Sequence, residues 1–351
     1  MSAMMIRQLS PQVEPEVLQQ FRAHGWVGAS PAMLPMLRDA GKAALVGDAA
    51  LLIEGETGTG KQVLASAIHA LDPKRRNGPM ITVHCGTIPD SLTESELFGH
   101  RRGAFSGAVS ERKGLFAAAN RGVIFLDDVN DLPAATQPKL LDVLQRSRIR
   151  PVGSDAESAI DVRVIAASNR PLKALAEAGL FRADLYYRLD VIHLRIPALR
   201  ERLDDLEPLM LALAERHQHL YHPIESVEPE LLRVLERYAF PGNIRELEHM
   251  VQRMLFGKTS GRSLALEDLN ADLGPLAPKA GDLGEIAARL LSHIEQGQVG
   301  SRAVMANLER EMLEAALRSS TRTRREVAQL FCMSERRLYQ RLRALREPRT
   351  A

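Results

Sequence analysis

Residues 50–71, ALLIEGETGTGKQVLASAIHAL, set an apolar run before a glycine-rich loop and a helical pattern after it. Gly55, Gly60 and Lys61 fit the phosphate-loop spacing GxxxxGK, with Glu56, Thr57, Gly58 and Thr59 between them. Glycines allow the tight turn that aims backbone N–H groups at an anion. A helix starting near Lys61 adds the positive end of its dipole, and the lysine reaches the outer phosphates. Gln62 stands where a hydroxyl usually follows that lysine. A second group is Asp127 and Asp128, which end the apolar run VIFL. Downstream of a phosphate loop, such a pair gives Asp127 to magnesium, through water, and Asp128 to the attacking water. A third apolar run, VRVIAA, ends in Ser168 and Asn169. An amide there can hydrogen-bond a terminal phosphate or the water. Arg182 and Arg188 follow. An arginine from a neighbouring subunit stabilises charge on a transferring phosphoryl group, whereas spacing alone also fits surface ion pairs. The implied chemistry is nucleoside triphosphate hydrolysis.

The elements that must hold these groups alternate. Strands are expected at Ala50–Glu54, Met80–His84, Val123–Leu126 and Val162–Ala166, and helices at Met33–Val46, Gln62–Leu71 and Ala135–Gln145. That interleaving predicts a three-layer α/β domain with a parallel sheet, whose ligand lies beyond the carboxyl ends of the strands. The pattern then turns helical over Asp204–His219, Pro229–Tyr238 and Asn243–Phe256, as a lid would. The expected divisions are residues 1–24, a short helix (Glu14 to Ala23) or an arm; 25–201, the α/β part; 202–270, the lid; 271–300, a Pro/Gly linker; and 301–351, a separate helical unit.

Composition bounds the function. The chain has 351 residues, 45% hydrophobic and 26% charged, with a net charge of +2, as expected of a soluble globular protein of two or three domains. Two cysteines without a CxxC pattern, no export signal and no membrane-length apolar run predict a cytoplasmic protein with no membrane contact. Basic charge is concentrated between Arg318 and Arg349, where ten Arg face three acids. That imbalance suits a polyanion, a solvated helix face being the alternative.

The motifs resemble those of the bacterial sigma-54-dependent transcription activators, or enhancer-binding proteins, of the AAA+ ATPase superfamily. The similarity is dense over residues 26–270 and looser over 301–346. Its most specific element is ESELFGHRRGAFSGA, 94–108. In that family a GAFTGA surface loop contacts the sigma factor and remodels the closed promoter complex. Here it is Gly103, Ala104, Phe105, Ser106, Gly107 and Ala108, with Phe105 an apolar group on a mobile tip. The resemblance implies ATP and Mg2+ as cofactors, residues 55–61 as Walker A, Asp127 and Asp128 as Walker B, and Asn169 as sensor I. It makes Arg182 and Arg188 intersubunit arginine fingers and, in YAFPGNIRELEH, Arg245 sensor II. It also implies a ring, typically a hexamer, acting on sigma-54 RNA polymerase. The family's usual sensory domain is not found ahead of the ATPase part, which implies control by a trans-acting protein, by expression level or by residues 1–24.

Four positions depart from the family: Asp128 for Glu, His84 for Asn, Ser106 for Thr and Gln62 for Glu. The family's Asn holds its catalytic Glu inactive until the ring engages its target. A shorter acid facing a longer partner suggests an Asp128–His84 pair, pH-sensitive near a pKa of about 6.5; equally, His84 is a packed strand-end residue. Asp128 also leaves open a rival reading, a DNA-binding regulator that uses ATP for assembly with weak or absent turnover. A generic AAA+ helicase or clamp loader lacks GAFSGA.

Residues 308–345 read as three helices, the last two forming a helix-turn-helix with Ser334 as N-cap and Cys332 at the turn. It resembles the Fis-like all-α domain of these activators and predicts binding to double-stranded enhancer DNA. Arg336, Arg337, Tyr339, Gln340, Arg341 and Arg343 would face the DNA. A small dimerisation module is the other reading. His217, His219 and His222 are read as a solvated helix end rather than metal ligands.

Overall fold

A computed structural model describes residues 14–269 apart from Ser106 and His222. They fall in one compact unit. The expected linker at 271–300 and the expected helix-turn-helix lie outside the described residues, as does Ser106.

Five parallel strands form the central sheet: β1 (Leu51–Glu54), β2 (Met80–His84), β3 (Val123–Asp127), β4 (Arg163–Ser168) and β5 (Ile192–Arg195). Their order is β2–β3–β4–β1–β5. Successive side chains of a strand face opposite sides, and here both sides are apolar. Leu51, Ile53, Val123, Phe125, Ile165 and Ala167 pack in one layer with Trp26, Met33, Leu64 and Ile68. Leu52, Ile124, Leu126, Val164 and Ala166 pack in the other with Phe98, Phe116, Leu140 and Leu185. A sheet covered on both faces reads as continuous apolar runs, which is why VIFL and VIAA stood out. Strand β5 did not. It is an edge strand in which Ile192 is partly buried and His193 and Arg195 are exposed, and it lacks such a run.

The longer helices of the sheet domain are α1 (Glu14–Ala23), α2 (Leu34–Leu45), α3 (Lys61–Leu71), α4 (Asp90–Phe98), α5 (Gln137–Arg146), α6 (Leu172–Glu177) and α7 (Ala183–Leu189). The N-terminal helix is no free arm, because Phe21 is fully buried in the layer that holds Trp26 and Leu64. The lid follows as α8 (Leu206–Arg216), α9 (Pro229–Leu235) and α10 (Asn243–Gly257). Its own core joins Leu206, Met210 and Leu213 to Leu231, Leu247, Val251 and Met254. Among the described residues no helix is long and apolar enough to cross a membrane.

Candidate functional site

Strand β1 delivers the chain to the phosphate loop at a carboxyl end of the sheet. Gly55 N–H donates to the Ser168 carbonyl of β4 at 3.2 Å. The loop closes at Gly60, whose φ of +104° permits the turn into α3 at Lys61. The Trp26 ring packs beneath that turn, 3.6 Å from where a Cβ on Gly60 would lie. Lys61 is buried, and its Nζ donates to the carbonyls of Gly55 at 2.8 Å and Glu56 at 3.2 Å. Burial holds its ammonium below the ordinary lysine range, while Asp128 and Asp127 oppose that shift.

The two acids part company at the end of β3. Asp127 is the last strand residue, and Asp128 has a left-handed φ of +51° and starts a short turn, Val129–Asp131. Burial first, and then the Asp127 charge, push the Asp128 carboxyl above the usual carboxylate range, with Lys61 pulling the other way. A carboxylate raised in this way is a better proton acceptor at neutral pH. The expected His84–Asp128 pair is not formed. β2 and β3 are parallel in a register that sets His84 opposite Asp127, and the imidazole Nδ1 lies 3.2 Å from Asp127 Oδ2. Register brings His84 and Asp127 together, and the left-handed turn takes Asp128 elsewhere.

A cavity of about 320 Å³ lies between this loop and the lid. Thr57, Gly58, Gly60, Lys61, Gln62, Asp127, Asp128 and Arg245 all line it. One stripe of α8 (Leu209, Ala212, Leu213, Arg216) and one turn of α10 (Ile244, Glu248) complete the wall with residues 25–27. Gly55, Glu56 and Thr59, expected to bind cofactor, do not line it. The Glu56 carboxylate is drawn to Arg200 and Asn243, at 2.5–3.1 Å, and falls to a pKa of about 2, mainly through the Arg200 hydrogen bonds. Thr59 is buried, with its hydroxyl on the Glu56 carbonyl. Asn169 follows β4, half-buried and likewise off the cavity wall, although its strand lies between β1 and β3.

Arg182 and Arg188 are also away from the cavity. Arg182 forms a two-bond pair with Asp184 at 3.0 and 2.7 Å, and Arg188 donates twice to the Leu144 carbonyl. The 103–108 loop closes on itself, Gly103 N–H donating to the Ala108 carbonyl at 2.8 Å. Phe105 is less free than its motif suggested. It sits edge-on to His100, ring centroids 5.1 Å apart, and His100 in turn meets the Ser95 hydroxyl at 2.7 Å. His217 is not solvated either, since Glu248 and Gln252 bind its Nε2 at 2.9 and 3.1 Å. Arg336, Arg337, Tyr339, Gln340, Arg341 and Arg343 lie outside the described residues.

Sequence reasoning missed Arg200, Arg202, Asn243 and Trp26. Only Asn243 carried a signal, its place inside the quoted lid motif. Strand, glycine loop, helix, paired acids and a covering lid define a phosphate-loop nucleotide-binding α/β protein. Residues 26–195 match the sigma-54 interaction domain and residues 200–285 the AAA+ ATPase lid domain. The chain belongs to the family of sigma-54-dependent AAA+ transcriptional regulators. It is 38% identical over 321 residues to the response regulator protein PilR of Pseudomonas aeruginosa, covering 91% of this chain and 69% of that one. It is 39% identical over 285 residues to the regulatory protein AtoC of Escherichia coli, covering 80% of this chain but only 61% of that protein's length. The crystal structure of NtrX from Brucella abortus in complex with ATP is similar at a TM-score of 0.63 and 27% identity, over 96% of this chain and 73% of that one.

Proposed function

We propose that this chain is an ATP-hydrolysing transcription activator of sigma-54 RNA polymerase. The observation that carries the reading is the meeting of Lys61, Asp127, Asp128 and Arg245 around one cavity under the lid. Lys61 and the N–H groups at the start of α3 hold the phosphates. Asp127 holds Mg2+ through water, steadied by His84, and Asp128 orients the attacking water. Among the described residues no cluster of three or more His, Cys, Asp or Glu could bind a metal alone, which fits an ion shared with the nucleotide phosphates. Bound Mg2+ neutralises charge on the transferring phosphoryl group. Arg245 meets the nucleotide from the lid, and Asn169 the terminal phosphate.

The placement of Arg182 and Arg188 off the cavity fits groups supplied to a neighbouring copy in a hexameric ring. Hydrolysis then moves residues 103–108 against sigma-54, and Arg336 to Arg343 hold enhancer DNA, in the cytoplasm, under a trans-acting regulator. The test is phosphate release and open-complex formation by the full chain with sigma-54 RNA polymerase. Asp128→Asn is expected to cut turnover about 100-fold, while Phe105→Ala keeps turnover and loses open complexes. Wild-type chain that hydrolyses ATP yet never opens a sigma-54 promoter overturns the activator reading.

A second reading rests on the short reach of Asp128: ATP binding for assembly, with little turnover. Nucleotide-dependent assembly in the absence of phosphate release would favour it.

A further inference from the structure

The phosphate loop is gripped from outside by the lid. Asn243, the first residue of α10, is fully buried at a left-handed φ of +51°, a conformation asparagine tolerates better than most residues. Both ends of its amide are engaged. Oδ1 accepts from Leu199 N–H at 2.8 Å, and Nδ2 donates to Glu56 Oε2 at 3.1 Å and to the Thr57 carbonyl at 3.0 Å. Arg200 closes on the same carboxylate with two bonds, at 2.9 and 2.5 Å. Ile244 N–H donates to the Gly58 carbonyl at 2.9 Å, and the Arg202 guanidinium to the Thr59 carbonyl at 2.9 Å. The carbonyls of residues 57, 58 and 59 are thus each held by a donor from residues 202–244.

That grip has a geometric consequence. In a trans peptide the carbonyl and the following N–H point opposite ways. Fixing the Thr57 and Thr59 carbonyls outward turns the Gly58 and Gly60 N–H groups inward. Both glycines line the cavity, and neither N–H has a hydrogen-bond partner among the described residues. Two open donors facing a cavity are what an oxyanion of a phosphate needs.

We propose that Asn243, Glu56 and Arg200 form a latch through which the lid sets the grip of the phosphate loop on nucleotide. They are positioning residues that do not touch the nucleotide. The inference rests on the nucleotide-binding reading above and deepens it. By thermodynamic reciprocity, a latch that tightens binding is itself tightened by binding, so lid position reports nucleotide state.

The test is titration of the full chain with mant-ATP and Mg2+, together with steady-state turnover. Asn243→Asp puts an oxygen against two acceptors and is expected to weaken binding by more than about tenfold. Arg200 is partly exposed, so Arg200→Ala removes the two bonds with little lost packing. It is expected to weaken binding about three- to tenfold, with Arg200→Lys between it and wild type. In each variant KM rises while kcat at saturating ATP stays within about twofold, because Lys61, Asp127 and Asp128 are untouched. The Glu56→Gln/Arg200→Ala double variant is expected to bind no more weakly than the worse single variant. Equal affinity of wild type, Arg200→Ala and Asn243→Asp overturns the latch. Wild-type chain that binds no mant-ATP overturns the nucleotide reading beneath it, a result distinct from the first.

Discussion

Two glycine-rich loops in this chain use glycine for opposite reasons. In the phosphate loop, Gly58 combines a φ of +81° with crowding, for a Cβ there would lie 2.3 Å from the Gly242 carbonyl of the lid. In the 103–108 loop, Gly103 and Gly107 have φ values of +82° and +110°, and a Cβ on either meets nothing within 4 Å among the described residues. At Gly58 the first loop needs glycine because another part of the molecule lies against it. The second is glycine-rich because the chain must turn in open space. Its hydrogen bonds follow suit: Gly103 to Ala108, Ala104 to Arg101 and Ala108 to Phe105 all stay within the loop or its root. A loop held by the lid and a loop whose end glycines stand clear of the other described residues are therefore told apart by what surrounds them.

The sharpest way to break this comparison is alanine at each loop. Gly58→Ala combines a left-handed strain of about 1–2 kcal/mol with the clash against Gly242. It is expected to lower the melting temperature by roughly 10 °C and to abolish mant-ATP binding. If binding survives at wild-type affinity, the lid does not constrain the loop. Gly107→Ala carries only the backbone strain, with an expected loss of roughly 2–6 °C in melting temperature and unchanged nucleotide affinity. A larger loss, or weakened ATP binding, would mean that the 103–108 loop is packed after all.

The smallest expected effect concerns the root of the phosphate loop. Glu54, the last residue of β1, faces His193 of β5 at 3.4 Å, and Asp190 lies 2.8 Å from the other ring nitrogen. Glu54 first, and then Asp190, hold the His193 pKa above its ordinary 6.5, against burial. A raised pKa stabilises the fold fully below 6.5, and the contribution is lost as pH rises through the folded value. The melting temperature of wild type should therefore fall as pH increases above 6.5, and His193→Gln should flatten that slope. A slope unchanged by the substitution would remove this ion pair from the account of stability.

Much of the site was legible because its groups are contiguous. A phosphate loop is a backbone shape written in seven successive residues, and β3 announces its acids by the apolar run before them. The alternation of strands and helices likewise revealed the layers, since burial on both faces forces continuous apolar segments. Edge strand β5 escaped because its exposed His193 and Arg195 interrupt the apolar Ile192 and Leu194. His84 could be placed near the acids from its strand end, but only the β2–β3 register assigned it to Asp127. Phe105 looked free in sequence because the ring that meets it, His100, is recognisable only once the turn is folded.

By itself, then, the sequence determined the phosphate loop, the paired acids, the alternating architecture and the likeness of GAFSGA to a sigma-contacting loop, for these are local patterns of residue type and spacing. Tertiary structure alone decided which way each group faces. Asn243 and Arg200 reach Glu56 across 187 and 144 residues of chain, and no spacing rule predicts hydrogen bonds at that separation. They form because the lid folds back over the carboxyl ends of the strands, where the loop's carbonyls need donors.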